Sequence, residues 1–112
     1  MRQYTQFYID GRWVEPVELK TLDVENPATE EVCGQIALGS AADVDQAVAA
    51  AQRAFAGWSQ SGRGERLDLL RAIQAEYQRR RSDLADAVNE EMGAPPALAA
   101  GLQVDLGAGH LA

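Results

Sequence analysis

Apolar and polar residues alternate with a period of two between residues 31 and 38. This alternation predicts a half-buried strand. The apolar residues on one of its faces are Val32, Ile36 and Leu38. Asn26-Pro27 precedes the strand and predicts a turn, because proline fixes its own φ and drives the residue before it into an extended conformation.

The pattern changes to spacings of three and four after Gly39, which predicts a long amphipathic helix. Ser40 and Asp43 have the spacing of a capping box, so we expect the helix to begin at Ser40. Gly57 and the polar residues 59–62 should end it. The apolar stripe of this helix consists of Val44, Ala47, Val48, Ala51, Phe55 and Trp58.

Helical spacing returns along residues 63–79 and predicts a second helix, which we expect to pack on the first. Its apolar face consists of Leu67, Leu70, Ile73 and Tyr77. Ser82 is the predicted cap of a third helix, and Gly93 should end that helix in a left-handed conformation. Residues 97–112 predict the beginning of a fourth helix, which its glycines weaken.

The residues before the Asn26-Pro27 turn predict short strands. Apolar residues within 7–14 flank Asp10-Gly11, which favours a type I′ turn because both central residues need positive φ. We therefore predict a β-hairpin there and a further short strand at residues 21–24. Residues 1–6 are polar, and we expect them to be frayed.

The excess of acidic over basic residues limits the kinds of molecule that the protein is expected to bind. Ten basic and seventeen acidic residues give a net charge of -7. Nucleic-acid binding is disfavoured, because neutralising phosphates requires clustered Lys and Arg. No run of about eighteen apolar residues could span a bilayer, and no signal-peptide pattern is present. We expect a cytoplasmic protein.

The 112 residues are 46% apolar, but alanine supplies much of this share and only 6% are aromatic. A chain of this length forms one small domain or part of a larger one. The hydrophobic core that it could build alone is therefore thin.

The residues whose side chains could take part in catalysis or ligand binding have plain structural interpretations. Cys33 has no predicted helix N-terminus or basic group nearby to lower its pKa, so a structural thiol is favoured. His110 is the only histidine, and no triad forms around it. The arginines of 79–81 suit a solvated helix end better than an anion site. Residues 107–109 lack the further glycine and the following helix of a dinucleotide cradle.

Five segments together resemble, in order and spacing, the amino-terminal segment of the aldehyde dehydrogenase superfamily. They are residues 7–14, 24–31, 39–51, 54–58 and 92–95. The resemblance implies an α/β parent protein with a Rossmann-type cofactor domain. Residues 1–112 would be the amino-terminal part of that domain, with no complete domain boundary inside the chain. Alone, they would form a β-hairpin and a strand followed by three or four helices.

The resemblance also implies a function for the parent, the oxidation of an aldehyde to a carboxylic acid with NAD or NADP. Such enzymes use cysteine attack, hydride transfer and glutamate-assisted hydrolysis. Cys33 is not the counterpart of the family nucleophile, which lies far downstream, so we assign no catalytic or cofactor-binding residue here. The chain would be a structural fragment. Its implied partners are the remainder of the chain, a small-molecule aldehyde and further subunits of a homodimer or homotetramer.

One site is implied within this chain. Family members often bind a monovalent cation through backbone carbonyls before the Asn-Pro turn and an acid before the Gly-x-Pro motif. The matching residues are Val24, Glu25 and Glu91, and the ion would be potassium or sodium, which suit hard oxygen ligands. The alternative is that Glu91 is a solvated acid at the end of a helix.

A hypothesis from another class remains open. The chain could be a self-standing acidic helical module that binds a protein partner. Its binding surface would then be the helical stripe of Val48, Ala51, Phe55 and Trp58. Such a module would have to fold stably by itself.

Overall fold

The computed structural model describes residues 1–112. Its strands are β1 (Arg2–Tyr4), β2 (Phe7–Ile9), β3 (Arg12–Val14), β4 (Lys20–Asn26) and β5 (Glu31–Leu38). Its α-helices are α1 (Ala41–Trp58), α2 (Arg63–Arg79), α3 (Arg81–Met92), α4 (Pro96–Leu98) and α5 (Val104–Leu111). A π-helical segment, Ala99–Gln103, joins α4 to α5 and is called the π-turn below.

The chain forms two compact units. The first contains Met1–Glu25 and Val32–Ser61, and the second contains Asn26–Glu31 and Gly62–Ala112. None of the helices combines the length and apolar character that a membrane crossing needs.

A three-stranded sheet in the order β1-β5-β4 forms part of the first unit. β1 runs parallel to β5, with Arg2 opposite Gly34 and Tyr4 opposite Ile36. The expectation that residues 1–6 are frayed is therefore wrong. These polar residues form a strand because β5 offers them hydrogen-bonding groups from more than thirty positions further along the chain.

The predicted β-hairpin is confirmed. β2 and β3 pair antiparallel, and Asp10 and Gly11 have φ of 57° and 75°, the positive values that a type I′ turn requires. Tyr8 and Trp13 face each other across the strands with ring centroids 5.3 Å apart in an edge-to-face arrangement. Such aromatic pairs stabilise a hairpin beyond their buried area.

The predicted cap of α1 is confirmed. The Asp43 amide donates to Ser40 Oγ at 3.3 Å, and the Ser40 amide donates to Asp43 Oδ2 at 2.8 Å, which completes a capping box. The helix contacts β2 and buries Asp43 and Ala50. The predicted apolar stripe, in contrast, is exposed except at the half-buried Ala47, and Phe55 is 68% accessible.

The second unit is helical. α2 has the predicted bounds, whereas the predicted Ser82 cap is wrong, because α3 begins at Arg81 and Arg80 stands between the two helices. Gly93 ends α3 with φ of 65°, as predicted. Within this unit α2 contacts α3 and α5. Its expected packing on α1, which belongs to the first unit, stays a prediction.

The buried apolar residues are small. They are Ala50 in the first unit and Ala85, Ala94, Ala99, Val104 and Ala108 in the second. No large side chain is fully buried. The second unit builds its core around the π-turn, which contacts α3, α4 and α5.

Candidate functional site

The Asn26-Pro27 motif forms a tightly bonded turn. Asn26 Oδ1 accepts from the Ala28 amide at 2.9 Å, and the Asn26 carbonyl accepts from the amides of Thr29 and Glu30 at 3.2 and 2.8 Å. An asparagine side chain that bonds two residues ahead is a recurring way to stabilise a turn. Glu30 completes the reversal with φ of 58°.

Gly93 lies against this turn within the second unit. A Cβ at position 93 would stand 2.8 Å from Pro27 Cγ and 3.6 Å from the Ala28 nitrogen. Both the left-handed backbone and this close approach require glycine. The Asn-Pro motif and the Gly-x-Pro motif, which are far apart in the sequence, are therefore in contact.

The three predicted cation ligands lie in different units. Val24 and Glu25 stand near the end of β4 in the first unit, and Glu91 lies in the last turn of α3 in the second. Their convergence stays a prediction. No group of three or more His, Cys, Asp or Glu side chains in residues 1–112 is arranged to hold a metal ion, so the predicted site depends on backbone carbonyls.

Cys33 forms a local bond. Its thiol donates to the Val24 carbonyl at 3.3 Å and is partly exposed on β5. The contact agrees with the structural role predicted for this cysteine.

Carboxylates within the chain pair with the arginine cluster. Arg79 and Arg80 both donate to Glu76, and these hydrogen bonds lower the pKa of the Glu76 carboxyl to about 2. Arg81 instead pairs with Asp105 Oδ1 at 2.7 Å. Each guanidinium thus has a carboxylate partner within the chain.

Asp43 is the buried charged residue of the first unit. Its Oδ1 accepts from the Val17 amide at 2.8 Å, while Oδ2 accepts from the Ser40 amide and the Ser40 hydroxyl, each at 2.8 Å. The Ser40 amide, the Val17 amide and the Ser40 hydroxyl, in that order, lower the pKa of the Asp43 carboxyl, and burial opposes them. This carboxylate fastens the loop before β4 to the start of α1.

The glycines at 107 and 109 lie inside α5. A phosphate-binding loop instead precedes a helix, so that free amides point at the ligand. Residues 107–109 therefore do not fit a nicotinamide dinucleotide, and no cofactor-dependent step is assigned to them. His110 is exposed in the last turn of the same helix.

Three further contacts, made by two side chains, were missed from the sequence. The Tyr77 hydroxyl donates to the Val104 carbonyl at 2.9 Å, and Arg81 binds both Asp105 and the Ala100 carbonyl. The three contacts join residues 19 to 27 positions apart. No local sequence motif predicts these contacts, so they can be identified only in the folded chain.

A family model decides the classification of the chain. The model described as "Aldehyde dehydrogenase family" matches residues 13–112. The chain belongs to the aldehyde dehydrogenase family. The matched range contains every segment on which the resemblance was based except residues 7–12, the larger part of the hairpin.

Sequence and structural similarity to individual aldehyde dehydrogenases supports this classification. The 3-succinoylsemialdehyde-pyridine dehydrogenase of a Pseudomonas species is 47% identical over 111 residues, which cover 98% of this chain and 23% of the relative. A crystal structure of an aldehyde dehydrogenase from Bartonella henselae matches with a TM-score of 0.97 and 40% identity, over 99% of this chain and 23% of that protein.

A third similar protein is an aldehyde dehydrogenase C variant from Pseudomonas syringae, crystallised with NAD+ and octanal. It matches with a TM-score of 0.93 and 47% identity, over 96% of this chain and 22% of that protein. These matches confirm the predicted α/β fold class. The chain spans less than a quarter of the length of the relatives and structures described here.

Proposed function

We propose that residues 1–112 are the amino-terminal segment of an NAD(P)-dependent aldehyde dehydrogenase, which oxidises an aldehyde to the carboxylic acid. The segment has a structural role and forms the amino-terminal part of the cofactor-binding domain, without a complete domain boundary. Its partners are the remainder of the polypeptide, a small aldehyde and the other subunits of a homodimer or homotetramer. A cytoplasmic location stays a prediction from the sequence.

One observation carries this proposal. Nearly the whole chain, 98% of it, aligns with only 23% of a relative at 47% identity. A match of this extent is what a shared structural segment of a longer enzyme gives. The NAD+ in the Pseudomonas syringae complex supports a nicotinamide cofactor for the parent.

The activity is tested by comparing two purified proteins. One is the chain of 12.1 kDa, and the other is the complete polypeptide that contains it. Mass spectrometry of the product from its source organism establishes the natural length. We expect the complete polypeptide to reduce NAD or NADP with at least one aldehyde, and the short chain to bind neither cofactor.

Cys33→Ser serves as the control in both proteins. Activity of the complete polypeptide should survive this change, because Cys33 bonds only within the first unit. Loss of turnover in a variant that still folds would contradict the structural role predicted for Cys33. Turnover by the short chain would contradict the proposal directly.

We also propose a monovalent cation site, for potassium or sodium, made by the carbonyls of Val24 and Glu25 and the carboxylate of Glu91. The bonded Asn26 turn, which directly follows Val24 and Glu25, supports it. A cation would also offset the unfavourable position of an acid at a helix C-terminus. The bound ion would stabilise the folded state and take no part in the reaction.

Glu91→Gln in the complete polypeptide tests the cation site. A ligand that binds only the folded state raises the melting temperature with its concentration. We expect this rise with potassium or sodium in the wild type and its loss in the variant, while the Michaelis constant for the aldehyde stays the same. Asp86→Asn, which removes one charge from the same helix, controls for ionic screening. Equal cation dependence in all three proteins would contradict the site.

A further inference from the structure

The helical stretch from Pro96 to Leu111 changes its hydrogen-bonding register at the π-turn. The Val104 amide donates to the Ala99 carbonyl, five residues earlier. Single π-helical turns are rare and often mark functional positions. An uninterrupted α-helix would instead bond Val104 to Ala100.

The π-turn contains one residue more than an α-helical turn. This extra residue decides which side chains enter the core of the second unit. Ala99 and Val104 are 0% and 2% exposed, and Ala108 follows at 9%. One α-helical turn is 3.6 residues, so an α-helix running on from Ala99 would place Gln103 closest to the position that Val104 occupies. The π-turn therefore directs Val104 inward.

Arg81 spans the π-turn from the start of α3. Its Nη2 donates to the Ala100 carbonyl, inside the turn, at 2.6 Å. Its Nε donates to Asp105 Oδ1, just beyond the turn, at 2.8 Å. Hydrogen bonds from a charged donor are stronger than neutral ones, and a guanidinium fork fixes both partners at once.

Tyr77 provides a second link, from α2. Its hydroxyl donates to the Val104 carbonyl at 2.9 Å. A Cβ at position 107 would lie 2.3 Å from that hydroxyl, so the tyrosine fits only when a glycine faces it. The π-turn places Gly107 in that orientation.

The π-turn also leaves a polar atom unpaired. Gln103 Oε1 is buried and has no hydrogen-bond partner, and an unpaired buried acceptor is destabilising. The unpaired acceptor is a cost of the π register, and the burial of Val104 in place of Gln103 offsets only part of it. The contacts from Arg81 and Tyr77 supply the compensation.

We propose that the π-turn is a register switch that Arg81 and Tyr77 hold in its π form. When these contacts are lost, the segment returns to α-helical bonding, and α5 turns by about 100° relative to α4, the rotation of one helical residue. This rotation changes the direction in which the exposed Leu102 and Leu106 face relative to Leu98. Arg81 and Tyr77 are positioning residues for the whole α4 to α5 stretch.

The test uses the double variant Arg81→Met with Tyr77→Phe in the complete polypeptide that contains residues 1–112. Its crystal structure should show the Val104 amide donating to the Ala100 carbonyl. Either single variant should speed amide hydrogen exchange at residues 101–103 by about tenfold, since each removes part of the compensation. Arg79→Met is the matched control, because Arg79 binds only Glu76 of its own helix.

A double variant that keeps the bond from Val104 to Ala99, with exchange equal to that of Arg79→Met, would overturn the proposal. Deleting Gly101 provides an independent measurement. We expect this deletion to remove the π-turn while Tyr77 still bonds Val104 and Arg81 still bonds Asp105. A π-turn that persists in the deletion variant would count against the switch, and the point variants decide the matter if the deletion variant does not fold.

Discussion

Asp43 shows how one side chain joins a local motif to a distant part of the chain. Its capping box with Ser40 was predicted from a spacing of three residues, because helix caps are local. The bond from the Val17 amide, 26 positions away, was not predicted. A backbone amide carries no residue-specific signal, so no pattern in the sequence marks it.

The lowered pKa of Asp43 predicts a dependence of stability on pH. Its folded-state pKa lies below its ordinary value of 3.8, so the unfolded chain binds the proton more readily. The stabilisation is complete above that ordinary value and is lost as the pH falls through the folded-state pKa. In the complete polypeptide, Asp43→Asn should therefore lower the free energy of unfolding at pH 7.

Denaturant unfolding across the acid range provides the measurement. The difference between wild type and Asp43→Asn should shrink as the pH falls below the ordinary carboxyl value. Asp45→Asn, at an exposed position of the same helix, should leave the pH dependence close to that of the wild type. A wild type and an Asp43→Asn variant with parallel pH profiles would refute the interpretation.

At the scale of elements, the accurate predictions have local causes. The hairpin follows from Asp10-Gly11, and α1 follows from its capping box. β1 was missed because three polar residues become a strand only beside β5. The π-turn was missed because contacts from α2 and α3 hold it, and no periodicity within 96–111 contains that information.

The contact between α2 and α5 predicts the effect of Gly107→Ala. The new Cβ would force the Tyr77 ring away and break its bond to Val104. We expect a loss of about 1–2 kcal/mol in the free energy of unfolding, from the lost hydrogen bond and the disturbed packing. Chemical denaturation of the complete polypeptide measures it.

Gly109→Ala is the matched control in the same helix, because no atom lies within 4 Å of a Cβ at that position. It should raise the stability by about 0.5–1 kcal/mol, the usual gain of replacing a helical glycine. If the two alanine variants had equal stability, Tyr77 would not restrict position 107.

At the scale of the whole molecule, the family was predictable from the order and spacing of weak motifs, while the cation site was not settled. Val24 and Glu25 belong to one compact unit and Glu91 to the other. Their sequence positions match the family pattern, but a site needs a shared point in space. Next to these positions, Pro27 and Gly93 are in contact, and both residues belong to the second unit.

The buried residues predict the behaviour of the 112-residue chain in isolation. Five of the six buried apolar residues are alanines, and burying alanine stabilises a fold far less than burying leucine or phenylalanine. Phe55 and Val44 on α1 are 68% and 57% exposed. We therefore expect a helical, loosely packed chain that self-associates and lacks a sharp thermal transition.

Circular dichroism melting and sedimentation at several concentrations measure both properties, with the complete polypeptide as the cooperative reference. If the exposed stripe of α1 drives association, Phe55→Gln should reduce the associated fraction. The helix content should not change, because the Phe55 side chain is largely exposed. A sharp transition of a monomer, independent of concentration, would contradict the structural-segment proposal. It would favour the self-standing module whose surface is Val48, Ala51, Phe55 and Trp58, since only a chain that folds alone could present that stripe to a partner.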